Sequence, residues 1–299
     1  MVSPFLADLF ESHRTHLLSV AYRLTGSVGD AEDAVQESWL RMAGVHQSEI
    51  DDLRAWLTTV VGRICLDHLR SAAVRRETYV GQWLPEPIVT AAAPSRTADP
   101  LEVVVRNQDS RLAAMVVLEA LTPQQRVALV LHDSLAVPFD EIAEILGVSA
   151  EAARQLAVRA RKAVARTPVP VADDVHDAAV RRFLAALATG DVAAVAATLH
   201  PDATFVADAG GTTKTALNVV AGAEKFARLA IGLWRRHVEE QLLEMSFAAV
   251  NGQSGLVLTD PNSPFGHPVR VLGFAVLDGK VWAAYDFANA TKLSGARAR

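Results

Sequence analysis

Between Glu151 and Arg166 five cations, Arg154, Arg159, Arg161, Lys162 and Arg166, stand against one carboxylate, Glu151. On a helix, Arg154, Gln155, Val158, Arg159 and Lys162 share one side, while Ala153, Ala157, Ala160 and Val164 share the other. These residue types suit the reading of base edges in a major groove, where Arg takes guanine through two hydrogen bonds and Gln reads adenine. A second cationic run, Arg54, Arg63, Arg70, Arg75 and Arg76, stands against Asp67 and Glu77. Just before it the charge reverses. If Ala31, Val35, Trp39 and Met42 turn inward from a helix over 30–43, with Asp30 as its cap, then Asp33, Gln36, Glu37 and Arg41 remain outside. Acidic helix faces are ordinarily solvated surface. Set beside a cationic helix, this one suggests a contact to protein and the next a contact to DNA.

The whole chain does not share that basic character. Its 299 residues carry a net charge of −5, which argues against a free-standing nucleic-acid binder, because phosphate neutralisation dominates sequence-independent affinity. Two local basic helices in an acidic chain imply DNA contacts assisted by a partner. A composition of 51% hydrophobic and 21% charged residues describes folded domains rather than disorder. The single cysteine, Cys65, excludes an intramolecular disulfide and a thiolate pair for zinc, and is expected as a small buried core residue. No apolar run reaches about 18 residues and the first residues are acidic rather than basic, so the expected location is cytoplasmic, without membrane contact. No cofactor and no metal site is expected.

The elements that must position these residues follow from periodicity and breakers. Helical spacing from Pro4 to about Arg76 predicts a first all-α module, 1–78. Pro85, Pro87, Pro94 and Pro100 forbid a long helix, so 79–107 is expected as a linker. A second all-α module, 108–167, contains a helix begun at Pro138, striped by Ile142, Ile145 and Leu146 and ended by Gly147. Ser149 then caps the next helix, with Glu151 in its first turn. This is a helix-turn-helix pattern. After a short linker, 168–174, the pattern changes over 175–299. Two helices, the first closed by Gly190, precede apolar stretches at 240–249, 254–260, 268–277 and 281–287. Asn251-Gly252 and Asp278-Gly279 suit tight hairpins, so an α+β domain is expected. The fold class is therefore multidomain: two all-α modules, then one α+β domain.

DAEDAVQESWLRM followed by RAWLTTVVGRICLDHLR resembles the core-binding and −10-reading helices of extracytoplasmic-function (ECF) sigma factors. LTPQQRVALVLHDSLAVPFDEIAEILGVS with its basic helix resembles their −35-reading module, so the likeness covers residues 4–166. It implies that Asp30, Asp33, Gln36 and Glu37 bind a coiled coil of the largest subunit of RNA polymerase core, with the flap region as a further contact. It also implies that Arg54, Trp56, Arg63 and Arg70 engage −10 DNA and that Arg154, Gln155, Val158, Arg159 and Lys162 engage −35 DNA. Trp56 suits stacking on an unpaired base and suits the core equally. Ala152 and Leu156 stand where many relatives carry Thr and Arg, leaving this recognition helix fewer polar reach points.

The third domain resembles the SnoaL-like branch of the NTF2-like fold. Trp83-Leu84-Pro85-Glu86-Pro87 is the WLPEP motif of the ECF41 or SigJ-like group, which bears this extension. Asp208-Ala-Gly210-Gly211 and Asn289-Ala-Thr-Lys292-Leu293 resemble altered forms of the group's DGGGK and NPDKL motifs. The resemblance implies that Trp83, Leu84, Pro85, Glu86, Pro87, Asp208, Gly210, Gly211, Asn289, Lys292 and Leu293 serve interdomain regulation in cis. Because related folds host enzymes, His200, Asp202 and Asp208 are weighed as acid–base groups and His237, Arg270 and Tyr285 as a pocket lining. His200-Pro201-Asp202 equally suits a helix-ending turn. The expectation is no catalysis, with a small-molecule pocket as a further partner site. The two competing readings are a DNA-binding regulator acting without polymerase and a SnoaL-like enzyme fused to DNA-binding helices.

Overall fold

The computed structural model describes residues 4–45, 50–76, 79–90, 100–105, 110–165, 167, 169, 171–211, 215–239, 243–262 and 268–293. The chain divides into two compact units, residues 1–78, 99–110 and 114–167, and residues 79–98, 111–113 and 168–299. The proline-containing segment therefore groups with the C-terminal residues.

The first unit is helical: α1 (Pro4–Thr25), α2 (Val28–Ala43), α3 (Leu53–Arg76), α4 (Pro100–Val105), α5 (Leu112–Glu119, from Ala114 onward in this unit), α6 (Pro123–Leu129), α7 (Phe139–Leu146) and α8 (Ala150–Val164). The cap of α2 is Ser27 rather than Asp30. Ser27 has extended backbone angles and its hydroxyl accepts from the Asp30 amide at 3.2 Å, which leaves Asp30 in the first turn, where the helix dipole favours a carboxylate. Thr122 and Gln125 form a reciprocal capping box at the start of α6, and a π-helical turn, Val130–Ser134, follows that helix.

Helix α3 buries more than the single stripe expected of it. Val60, Ile64 and Leu69 are buried, and so are Leu57, Val61, Cys65 and Leu66. The reason is tertiary: α3 packs against α1 and α2 on one side and against α6 and α7 on another. Gly62 marks the second contact, since a Cβ there would lie 3.4 Å from Leu131 Cδ1 and 3.5 Å from Ile145 Cδ1. Arg126 joins the same halves. Buried in the unit, its Nη1 donates to the Leu24 carbonyl at 3.0 Å and to Glu119 Oε1 at 2.9 Å, which satisfies an end-of-helix carbonyl and neutralises the cation together.

The second unit holds α9 (Asp173–Thr189), α10 (Val192–Thr198), α11 (Ala223–Trp234), α12 (Ala290–Leu293) and one sheet. Its strands are β1 (Val89–Thr90), β2 (Leu199–Asp208), β3 (Val220–Ala221), β4 (Glu244–Val250), β5 (Gln253–Thr259), β6 (Pro268–Leu277) and β7 (Lys280–Phe287), in the order β1-β4-β5-β6-β7-β2-β3. Pairing is antiparallel except between β2 and β7. Both expected hairpins form, with positive φ at Asn251, Gly252, Asp278 and Gly279. Gly190 ends α9 in the left-handed conformation, as expected. Helices α9 and α11 cover one sheet face with a core that includes Phe183, Phe205, Phe226, Leu256 and Phe274. Three strands lie outside the four apolar stretches read in the sequence: β1, inside the expected linker, the short β3, and β2, whose irregular register between Leu199 and Thr204 takes in His200-Pro201-Asp202.

Candidate functional site: two helix faces and a linker clamp

The acidic face of α2 forms as its spacing predicts. Asp33 and Gln36 are exposed, Glu37 is half-buried and ion-paired to Arg41 one turn on, and Ala31, Val35 and Met42 are buried beneath them. Trp39 is half-buried and tilts against Phe10, with ring centroids 5.1 Å apart. Gln36 and Trp39, with Phe10, Arg14 and Glu32, line a groove between α1 and α2.

On α3, Arg54, Arg63 and Arg70 are all exposed, and each already has a neighbour. Arg70 lies 3.5 Å from Asp67, and Arg63 lies 3.9 Å from Glu144 of α7. Arg54 Nη2 donates to His16 Nδ1 at 3.2 Å, so His16 carries its proton on Nε2, which points it at Thr58 Oγ1, also 3.2 Å away. Thr58 in turn donates to the Arg54 carbonyl at 2.8 Å, closing a small network around Arg54. Burial first, then the Arg54 charge, lowers the His16 pKa to about 4, in keeping with a neutral ring. Trp56 is half-buried in the first turn of α3, so both roles weighed for it retain a share of its surface.

The α7–α8 corner has the geometry that its sequence specifies. Gly147 adopts φ 68° and ψ 39°, and Ser149 Oγ accepts from the Ala152 amide at 3.2 Å. Ala153, Ala157 and Ala160 are fully buried, while Arg154, Gln155, Val158, Arg159 and Lys162 are exposed together on the opposite side. Arg154 pairs with Glu151 at 2.8 Å and lies over the Phe139 ring, 5.3 Å from its centroid. Gln155 reaches the same glutamate at 3.4 Å. Arg161 behaves differently: it grips Asp133 with two hydrogen bonds, 2.8 and 2.5 Å, and so anchors α8 to the π-helical turn.

Three segments that the sequence separates meet in the second unit. Asp208, at the end of β2 and fully buried, accepts hydrogen bonds from the Tyr79 hydroxyl and from the Leu84 amide at 2.9 Å. Its Oδ2 lies 2.6 Å from Lys292 Nζ, which also donates to the Leu84 carbonyl. The Lys292 ammonium sits 3.3 Å from the centroid of the Trp83 indole, a cation–π contact. Asn289 donates to the Tyr79 hydroxyl at 2.9 Å. Burial and the bond to Asp208 push the Tyr79 hydroxyl upward in pKa, which keeps it a donor. Gly210 is required here: φ is 59°, and a Cβ would stand 2.8 Å from the Asn289 side chain. Leu84, Pro85 and Pro87 are buried, Trp83 and Glu86 half-buried, and Leu293 buried. Gly211 is exposed, with Val80 the nearest neighbour to a Cβ built on it, at 3.5 Å.

Two members of this clamp were missed from the sequence. Tyr79 carries no motif of its own, although it stands four residues before Trp83 and packs edge-on to it, with centroids 4.8 Å apart. Asn251, read only as a turn residue, also accepts from the Ile88 amide at 3.1 Å while its own amide donates to Ile88 at 2.8 Å, which docks β1 on β4. The acid–base set does not assemble. His200 Nδ1 accepts from the Asp202 amide at 3.2 Å, and Asp202 is exposed, whereas Asp208 lies about 20 Å further along β2 by strand rise and is committed to Lys292. His237 and Arg270 do line a cavity, but Tyr285 does not: Ala284 lines it and strand alternation turns Tyr285 the other way. Among the described residues no group of three or more His, Cys, Asp or Glu side chains is placed to hold a metal ion. No described helix is long and apolar enough to cross a membrane.

Residues 9–75 match the family model for sigma-70 region 2, residues 111–164 that for sigma-70 region 4, and residues 180–283 that for a SnoaL-like domain. The chain belongs to the ECF RNA polymerase sigma factors, and it carries a SnoaL-like domain in addition to their two helical regions. It is 50% identical to ECF RNA polymerase sigma factor SigJ of Mycobacterium tuberculosis over 292 residues, 96% of this chain and 92% of that one. The crystal structure of that SigJ superposes with a TM-score of 0.79 at 48% identity, covering 97% of this chain and 98% of the other. Probable sigma factor SigI of the same organism is 34% identical over 230 residues, 75% of this chain and 76% of its own.

Proposed function

We propose that this chain binds RNA polymerase core through the acidic face of α2, centred on Asp30, Asp33, Gln36 and Glu37, and directs promoter-specific initiation without a catalytic step of its own. Arg54, Trp56, Arg63 and Arg70 on α3 engage the −10 element, and Arg154, Gln155, Val158, Arg159 and Lys162 on α8 engage the −35 element. The C-terminal unit regulates this reading in cis. What carries the regulatory part is the clamp on Leu84: Asp208 takes its amide, Lys292 takes its carbonyl, and Trp83 stacks on the ammonium. A segment joining two DNA readers is thereby tied to the SnoaL-like domain rather than left as a free tether.

The packing of α3 on α6 and α7 gives that regulation something to act on. Promoter elements about 25 base pairs apart lie about 85 Å apart at about 3.4 Å per pair. Helices sharing one core cannot span that distance, so the helical unit opens when both elements are read. The deciding experiment is promoter-directed transcription with core polymerase, comparing the whole chain with chains ending at Arg166 and at Leu293. Promoter-dependent initiation that changes when the C-terminal domain is removed is the expected result. Equal output from all three removes regulation in cis. Core polymerase binding that is indifferent to Asp33→Ala with Glu37→Ala removes the assignment of the acidic face.

A further inference from the structure

The SnoaL-like unit contains a cavity that the clamp does not use. It lies between the sheet and the helices α9 and α11 that cover it and has a volume of about 60 Å³. Its wall is almost wholly apolar, from Phe183, Phe205, Phe226, Trp234, Met245 and Phe274 among others, and two polar side chains interrupt it, His237 and Arg270. His237 comes from a π-helical turn, Arg235–Glu239, that continues α11; such turns recur where a helix has been adapted to a site.

Arg270 specifies the kind of molecule that belongs there. It is buried, and its Nη1 bonds Asp286 Oδ2 at 2.9 Å, a single contact from a group with five N–H donors. Asp286 is fully buried on the strand face shared with Ala284, and it also accepts from Thr215 Oγ1 at 3.0 Å. Burial raises the Asp286 pKa and the Arg270 charge opposes that rise, so the two side chains serve as each other's counter-charge within the wall. An anion entering the cavity would meet a cation already neutralised and would lose its hydration in apolar surroundings. A neutral acceptor loses far less and still finds guanidinium N–H groups.

We propose that this cavity binds a small, uncharged, mainly apolar molecule bearing a hydroxyl or carbonyl oxygen, which accepts a hydrogen bond from Arg270. The size argues the same way. About 60 Å³ is under half of the roughly 150 Å³ in which an apolar protein cavity holds benzene, so the occupant has at most one ring and displaces the wall slightly on entry. The proposal deepens the reading of this unit as the regulatory part and names the ligand class that it takes.

Met245 lines the cavity and is the sole methionine in the C-terminal unit, so its labelled methyl group is a local reporter in the full chain. Phenol is the probe, with benzene and benzoate as the apolar and the anionic controls. Phenol is expected to shift the Met245 methyl resonance saturably and to bind about three- to tenfold more tightly than benzene, the value of one net hydrogen bond. Benzoate is expected to bind more weakly than either. Arg270→Lys, which keeps the charge opposite Asp286 but loses the planar donor edge, should bring phenol down to the level of benzene and leave benzene unchanged. Ala230→Leu, which adds volume at the wall, should weaken both neutral probes, and a native backbone amide spectrum over β4–β7 shows whether the C-terminal unit is intact. Benzoate binding as tightly as phenol overturns the charge argument. A Met245 signal indifferent to phenol overturns the site. Binding is read without polymerase, so its failure leaves the transcription comparison standing, and equal transcription from the truncated chains would leave a measured binding site in place.

Discussion

Lys292 meets a carboxylate, a backbone carbonyl and an indole face at once, all in surroundings that exclude water. Replacing one partner of such a buried pair strands the other. Lys292→Met preserves the stem but leaves the Asp208 charge buried, and it should destabilise the C-terminal unit by about 3–5 kcal/mol, measured by chemical denaturation with the Met245 methyl resonance as the signal of that unit. Asp208→Asn combined with Lys292→Met should recover part of that loss. Single variants within about 1 kcal/mol of the native chain would mean that the pair contributes little. At the other end of the chain His16 gives a pH signature. Its ring is held neutral with a pKa lowered to about 4 from 6.5, so across that window the unfolded chain binds the extra proton. Stability therefore rises with pH between about 4 and 6.5 and is lost on acidification through that range. His16→Gln should flatten this part of the profile of melting temperature against pH. An unchanged slope would assign the acid sensitivity to other groups.

Helix α3 is read correctly as a helix and incompletely as a surface. Arg54, Arg63 and Arg70 face out as their spacing predicts, but a stripe drawn for one partner misses that it serves two. Gly62 makes the second contact testable. A methyl group there meets Leu131 and Ile145 at ordinary contact distance, so Gly62→Ala should stabilise the helical unit by up to about 1 kcal/mol through helix propensity. Gly62→Leu should cost about 1–3 kcal/mol by overpacking the same contact. Thermal unfolding of the two variants decides it, and equal, small effects would indicate that α3 and α7 part readily at this point. For α8 the expectation concerns binding. Arg154 must exchange Glu151 for DNA, and Arg154→Ala should weaken −35 binding by about 1–3 kcal/mol if the guanidinium takes a base edge through two bonds. Unchanged affinity of the holoenzyme for promoter fragments would place Arg154 outside the interface.

On the scale of the molecule, reading both promoter elements requires the helical unit to separate parts that share a core. Fluorophores attached through cysteines introduced at Ser71 and Ala163, exposed positions of α3 and α8 outside the assigned DNA contacts, report that separation. The native thiol interferes little, because Cys65 is buried and its pKa is pushed up by burial. Energy transfer should be high in the free chain and fall when polymerase core and promoter DNA are both present. Constant transfer would mean that the elements are read by some other arrangement of the helices.

The sequence by itself determined what local rules control. Glycine and serine set the α7–α8 corner, alternation and two turn dipeptides set the β4–β7 meander, and charge against apolar spacing set which faces of α2 and α8 look outward. Those features depend on neighbours a few residues away, where side-chain type and backbone angle are directly coupled. Tertiary structure alone decided the rest. Asp208, carried as an acid–base candidate and as a motif residue, became the centre of a clamp only because Tyr79, Leu84 and Lys292 arrive from distant parts of the chain. A segment expected to be linker became an edge strand because Asn251 offered Ile88 both a donor and an acceptor. No periodicity records such meetings, since burial makes a polar group seek its partner wherever the fold brings one.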